Sequence, residues 1–150
     1  EPQGGVKCFI NACFVYMNEA TRDEGRQMLS YMAIPLAGDV DWDTAGGNRL
    51  FVERLGPDYA HIWRSYAVGA TPENAYQMDP DNWELNFERT HQHEEDERGL
   101  QVYLRSGGAD APRVVYVKQN PQSGLWHAAT WHTLFVGVKP PVDPNVEQFN

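Results

Sequence analysis

Basic side chains are scarce in this sequence. Twelve Lys and Arg stand against 21 Asp and Glu, for a formal net charge of −9 at pH 7. Nucleic-acid affinity rests on Lys and Arg neutralising phosphates, so no nucleic-acid partner is expected. Long apolar runs are missing too. Cys8–Ile10 and Ala12–Met17 fall far short of the roughly 20 residues that a membrane-spanning helix needs, and no membrane partner is expected. Cysteine is limited to Cys8 and Cys13. Five residues apart on a helix, these two point about 140° from each other. That geometry opposes a bridge and leaves two small core or part-buried thiols. Internal repeats and low-complexity segments are absent. Gly107-Gly108 lacks the strand–glycine–helix context of a phosphate loop, and neither Ser65 nor Ser106 stands in a Gly-x-Ser-x-Gly elbow. No cofactor is expected.

Material for a core is plentiful. Apolar residues make up 41% of the 150 positions and aromatics 12%, including five Trp and seven Tyr. A chain of this size closes one core without disulfides or a metal, so residues 1–150 are read as a single domain.

Apolar positions Phe9, Cys13, Tyr16 and Met17, with Ile10 and Phe14 alongside, recur at helical spacing and predict a helix over Val6 to Met17. Thr21-Arg22-Asp23-Glu24 matches a capping box, which opens a second helix with Met28, Leu29, Met32 and Ala33 inward, ending before Pro35. The Gly- and Asp-rich stretch from Pro35 to Asn48, around Trp42, reads as a surface loop. Arg49 to Leu55 is a short helix or an extended piece, and Gly56-Pro57 opens a further short helix whose face is Tyr59, Ile62, Trp63 and Tyr66. From Trp83 the period changes to two. Trp83, Leu85 and Phe87 face inward and Glu84, Asn86 and Glu88 outward. Leu100 to Leu104 and Val114 to Gln119 continue the strand pattern, Asn120 to Gly124 is a turn, and Leu125 to Val138 is a last strand with a bend or bulge near Ala128 to Thr133. The expected fold class is α+β, with N-terminal helices packed across a C-terminal four-stranded, mostly antiparallel, curved sheet.

Candidate sites are each set against a plainer role. His91 and His93, with Glu94, Glu95 and Asp96, gather metal-ligand atoms, but no third ligand stands at a recognised spacing and the segment reads as a solvated hairpin connection, so no metal site is expected. His127 and His132 lie near Trp126 and Trp131 and imidazole is the usual general acid–base group, yet no partnered nucleophile is visible and no catalytic residue is assigned. Trp63, Tyr66, Tyr103, His127 and Trp131, with Tyr76, Tyr116 and Trp126, are the candidates to line a small-molecule cavity; otherwise they are core.

Several segments carry longer motifs: Met28-Leu29, Arg64-Ser65-Tyr66, Gly69-Ala70-Thr71-Pro72-Glu73-Asn74, Arg105 to Asp110 with Pro112 and Arg113, and Gly137 to Pro141. In these the sequence resembles an uncharacterised bacterial family, a domain of unknown function. The resemblance implies a bacterial, cytoplasmic setting and no catalytic residue. Its helices followed by a four-stranded meander also look similar to the cone-shaped fold of nuclear transport factor 2, a likeness of fold alone. Thr71 to Asn74 reads as a turn held by Pro72 and by the Thr71 and Asn74 side chains, with Arg105 and Asp110 clamping the second turn. Should the motifs meet, Arg64, Glu73, Asn74, Arg105, Asp110 and Arg113 form a polar surface for a protein partner.

The leading expectation is thus a non-catalytic binding or interaction module with an unknown protein partner. A small-molecule-binding or lyase/isomerase-type enzyme on the cone-shaped fold is the alternative. An acidic inhibitor of a basic protein is the third reading, motivated by the charge.

Overall fold

Helix α1 (Pro2–Met17) runs through the middle of the molecule and buries Val6, Phe9, Ile10, Ala12, Cys13 and Tyr16. The structure, a computed structural model, describes residues 1–88 and 95–142. α1 starts four residues before its apolar stripe because Pro2 suits the first turn, where its missing N–H costs nothing. Cys13 is buried and Cys8 is exposed, which corrects the expectation that both thiols were at least partly covered. Their angular separation on one helix is the reason.

Helix α2 (Arg22–Met32) packs back on α1 through Gly25, where a Cβ would lie 2.3 Å from the Tyr16 backbone nitrogen. No side chain fits there. Leu29 and Ala33 are fully buried, while Met28 and Met32 are half-buried. The capping box at Thr21 does not form. A single turn of 3-10 helix, Glu19–Thr21, intervenes, with Asn18 accepting from the Ala20 N–H at 3.0 Å. The Thr21 hydroxyl donates instead to the Val15 carbonyl at 2.7 Å, one of the last-turn carbonyls of α1 that helix geometry leaves unpaired.

From Ile34 to Asn48 the chain makes three short 3-10 turns. Trp42 is fully buried, so this stretch is not only a surface loop. Its indole stacks 5.6 Å from Phe51 and donates to the Arg26 carbonyl at 2.9 Å. Asp43 accepts from Tyr16 Oη at 3.0 Å and from Arg26 Nε at 2.8 Å, tying the loop to both helices. Burial, and then the Asp43 contact, push the Tyr16 phenol up to about 12. Helices α3 (Arg49–Arg54) and α4 (Ala60–Arg64) follow, with Ile62, Trp63 and Tyr66 inward as the spacing predicts.

Trp83 to Glu88 is extended but is not a ladder strand. It touches its neighbours at two isolated bridges, Ala67↔Leu85 and Phe87↔Leu104. Asn86 N–H donates to the Tyr66 carbonyl at 2.8 Å and Glu88 N–H to the Tyr103 carbonyl at 3.0 Å. On the side expected outward, Glu84 is exposed and Asn86 half-buried, but Glu88 is buried, with its carboxylate paired to Arg105.

Strands β1 (Glu95–Asp96), β2 (Gly99–Leu104), β3 (Arg113–Gln119) and β4 (Trp126–Thr130) form one antiparallel meander in that order. The open sheet and the helices across it make an α+β fold. Asn120 builds the β3–β4 turn, its side chain accepting from the Gln122 and Ser123 N–H groups at 2.8 and 3.2 Å. Pairing moves from Tyr116↔Thr130 to Val117↔Ala128, which leaves Ala129 as an extra residue and bends β4. The bend falls where expected, but β4 stops at Thr130 and gives way to a 3-10 turn, His132–Phe135.

Phe9 is the hub of the core, with ring centres 4.8 Å from Trp131, 6.1 Å from Phe51 and 6.5 Å from Trp63. Each such burial is worth about 1.5–3 kcal/mol. No helix among the described residues is long and apolar enough to cross a membrane.

Candidate functional site

Two regions concentrate the residues of interest. In the first, the segment after α4, the turn after β2 and the C-terminal stretch come together. Ser106 Oγ donates to Ser65 Oγ at 2.7 Å, and Ser65 Oγ donates to the Ile62 carbonyl at 2.6 Å. Gly108 N–H donates to Ser106 Oγ at 3.1 Å and Gly107 N–H to the Ser65 carbonyl at 2.8 Å. A Cβ on Gly107 would lie 1.9 Å from the Ala70 carbonyl oxygen, and one on Gly108 2.0 Å from Tyr76 Oη. Val142 N–H reaches the Pro72 carbonyl at 3.0 Å, and Tyr76 Oη donates to the Lys139 carbonyl. The Arg-Ser-Tyr, Thr-Pro-Glu-Asn, Ser-Gly-Gly and Gly137–Pro141 segments are one junction.

The six polar residues of this region are largely spent on holding it. Arg64 Nε donates to the Tyr76 carbonyl at 2.8 Å, and Arg113 donates to the Ala111 and Val136 carbonyls at 2.9 and 2.8 Å. The Asn74 side chain accepts from the Thr71 and Gln77 N–H groups at 3.0 and 3.1 Å and donates to the Gly69 carbonyl at 2.8 Å. Arg105 and Asp110 do not clamp the turn together. Arg105 pairs with Glu88, and Asp110, 96% exposed, lies 3.9 Å from Lys139. Glu73 is exposed beside the turn. The His61 ring lies tilted against Tyr76 at 5.8 Å between centres, and burial lowers its imidazole from the ordinary histidine value.

The aromatic candidates separate. Trp63 and Tyr66 are fully buried and Trp131 nearly so, with Trp63 Nε1 donating to the Arg54 carbonyl at 2.8 Å and Tyr66 Oη to the Leu134 carbonyl. Tyr103 alternates with buried Val102 and Leu104, so it points to the opposite face of the sheet, where it donates to Gln101 at 2.9 Å. His132 is exposed at the turn that follows β4, away from His127. His91 and His93 lie outside the described residues. Among the described residues, no group of three His, Cys, Asp or Glu is placed to hold a metal.

The second region is a cleft of about 460 Å³ between the C-terminal end of α2 and the β3–β4 hairpin. Tyr31 and Ile34 stand on its rim, 58% and 42% exposed, with Lys118 and Pro121 across from them. His127 lines it and is 8% exposed. Its Nδ1 lies 2.8 Å from the Tyr31 carbonyl, and its ring meets the Tyr31 ring edge-on at 5.2 Å. A carbonyl oxygen can only accept, so Nδ1 carries a proton and, in the neutral ring, Nε2 presents a lone pair. That Nε2 is buried with no partner among the described residues. Leaving such a group unsatisfied costs about 1–3 kcal/mol.

His127 lines this cleft with its Nε2 covered, Trp131 and His132 line a second cleft of about 310 Å³ with Leu50 and Phe51, and Trp126 lines a third of about 270 Å³. Tyr31, Ile34 and Lys118 were not legible as site residues. The available signal was a large ring at Tyr31 and a branched chain at Ile34, both off the inward stripe of α2, where water-facing residues are expected.

Residues 1–142 match a family described as Domain of unknown function (DUF6935), and the chain belongs to that family. No curated protein and no solved structure matches it.

Proposed function

We propose that this member of the family is a non-catalytic binding module that takes a small ligand in the cleft between α2 and the β3–β4 hairpin. The observation that carries this reading is the cleft itself, whose rim exposes Tyr31 and Ile34 and whose lining includes the polar side chains of Lys118 and Gln119. Apolar walls with a few convergent polar groups are what a small-molecule site requires, and about 460 Å³ lies within the usual size of such sites. A protein contact through the motif surface has less support, because Arg64, Asn74 and Arg113 are engaged with the protein's own backbone. The bend at Ala129 and the passage of α1 across the sheet favour a cone-shaped arrangement similar to nuclear transport factor 2, and a bacterial, cytoplasmic setting rests on the motif resemblance alone.

Titration of an apolar fragment mixture against 15N-labelled protein tests the proposal. Amide shifts gathered at Tyr31, Ile34, Lys118 and His127 are expected. Shifts gathered instead at the Ser65–Ser106 junction would overturn the site, and chemical conversion of a bound fragment would overturn the non-catalytic reading.

A further inference from the structure

The motif junction is filled in part by a segment that belongs to no helix or strand. Residues 136–142 follow the 3-10 turn His132–Phe135, and all but Val138 and Val142 are exposed. We infer that the junction is a cradle for an extended Pro-Pro peptide: the chain's own Val138 to Val142 occupies it in cis, and when that strap lifts, the cradle takes a segment of the same Val-Lys-Pro-Pro-Val type from a protein partner. This goes beyond the cleft reading and does not depend on it. The junction has its bonds made, but several are made to the strap, and a peptide in its place makes them again.

The strap is held by its main chain. The Val136 carbonyl accepts from Arg113 at 2.8 Å, Lys139 N–H donates to the Gly108 carbonyl at 2.9 Å, the Lys139 carbonyl accepts from Tyr76 Oη, and Val142 N–H donates to the Pro72 carbonyl at 3.0 Å. Lys139 and Val142 stand three apart, the interval at which a polyproline II chain presents the same face again. Pro140 and Pro141 between them have no N–H to satisfy, and each fixes its own φ and biases the residue before it toward extended backbone. Such a stretch loses little freedom on docking, which is what proline-reading grooves exploit.

The cradle is shaped for this approach. A Cβ on Gly108 would lie 2.0 Å from Tyr76 Oη and 3.1 Å from Val138 Cγ1, so only glycine lets the hydroxyl and the strap close on it together. Ala75 and Tyr76 both adopt left-handed backbone, with φ 59° and 54°, which bulky residues rarely do. The Asn74 side chain holds that turn by accepting from the Thr71 and Gln77 N–H groups, and the Tyr76 hydroxyl is thereby aimed at the Lys139 carbonyl. On the rim, Lys139 lies 3.9 Å from Asp110 and Glu73 is exposed, so a basic residue ahead of the prolines suits the local charge. Exposed ion pairs are weak, and the main-chain bonds and the prolines carry the recognition.

The probe is the free peptide of residues 136–142, with an analogue carrying Pro140→Ala and Pro141→Ala, each titrated into 15N-labelled protein. Amides of Glu73, Tyr76 and Gly108 should shift while those of Tyr31 and Ile34 stay in place. The analogue should bind about fivefold more weakly, since alanine restores the freedom that proline removes. Because the strap competes, apparent affinity scales with the open fraction. Val142→Pro removes the N–H that reaches Pro72, and the unaltered peptide should bind that variant about fivefold more tightly than the parent. No shift at the cradle amides in either protein, or equal affinity for the two peptides, would overturn the inference. Shifts in Val142→Pro that follow protein concentration and not peptide would assign the cradle to the strap of a second copy and overturn the partner. Hydrogen exchange is read on the unmodified protein, so a variant that fails to fold does not blunt the test. The Lys139 and Val142 amides should exchange about tenfold or more faster than those of the β2–β3 ladder, through local opening. Exchange in step with the ladder would mean that the strap leaves only on global unfolding, and would overturn the cradle as a binding site.

Discussion

At the motif junction, Ser65, Ser106, Arg64, Asn74 and Arg113 all find partners within the protein, and two adjacent glycines are pressed so close to Ala70 and Tyr76 that a methyl group has no room. In the cleft the reverse holds: Tyr31 and Ile34 are left in water, and His127 keeps one ring nitrogen bare. Both regions carry residues that sequence reasoning treats as functional candidates. The contrast shows that a run of polar motif residues can be spent on fastening chain segments, while a site can be built from residues that belong to no motif. A concave surface with exposed apolar side chains on its rim is a better place to look for a small ligand than a region with all its bonds made.

Substitutions that break or sharpen this contrast can be ranked. Gly107→Ala should be the most severe, losing about 3 kcal/mol or more as overpacking against the Ala70 carbonyl forces the backbone apart; the midpoint of urea unfolding reads this, and a tolerated alanine would show that the junction is looser than described. Ser65→Ala should cost about 1–3 kcal/mol, because it strips the Ser106 hydroxyl of its acceptor in a buried site. A calorimetric melt unchanged from the parent would remove the hydroxyl pair from the account of the junction.

His61 gives a smaller, pH-dependent effect. Its folded-state imidazole titrates below the ordinary value, so the unfolded chain binds the proton more readily. The stability it contributes is present above about pH 6.5, the unfolded value, and is lost as pH falls through the folded one. Unfolding midpoints at pH 7.5 and 5.5 should therefore differ less in His61→Gln than in the parent. Smallest for stability are Tyr31→Ala and Ile34→Ala, each within about 0.5 kcal/mol of the parent, as for exposed residues elsewhere. Each should nonetheless weaken binding of apolar fragments in the cleft, measured by the same amide titration. A large stability loss at either position would mean that the rim is packing surface.

Much of the fold was legible. The stripes of α1 and α2, the alternation of β2, the presence of a strand at β3 and the Asn120–Gly124 turn all follow from local pattern, since helix and strand periods act before any long-range contact forms. Local pattern misled where a segment meets two neighbours instead of one. Glu88 alternates correctly for a half-solvated strand, and Glu84 on the same side is exposed, yet Glu88 is buried where Arg105 receives its carboxylate. Thr21 carries the letters of a cap, but the unpaired Val15 carbonyl of α1 takes its hydroxyl first. Within the candidate site, His127 was legible as a polar residue among aromatics. Its partners were not, since Tyr31 lies 96 residues away in the chain.

Sequence alone determined the α+β class, the order of helices before strands, the bent last strand and the acidic character, because each depends on composition or on spacing within a dozen residues. Only the tertiary structure decided that Trp42 enters the core from an irregular stretch, that the segments around Ser65, Thr71, Ser106 and Gly137 converge on one another, and that Tyr31, Ile34 and His127 line an open cleft. Those outcomes depend on which distant segments arrive at the same place, and burial and hydrogen-bond satisfaction are properties of that meeting.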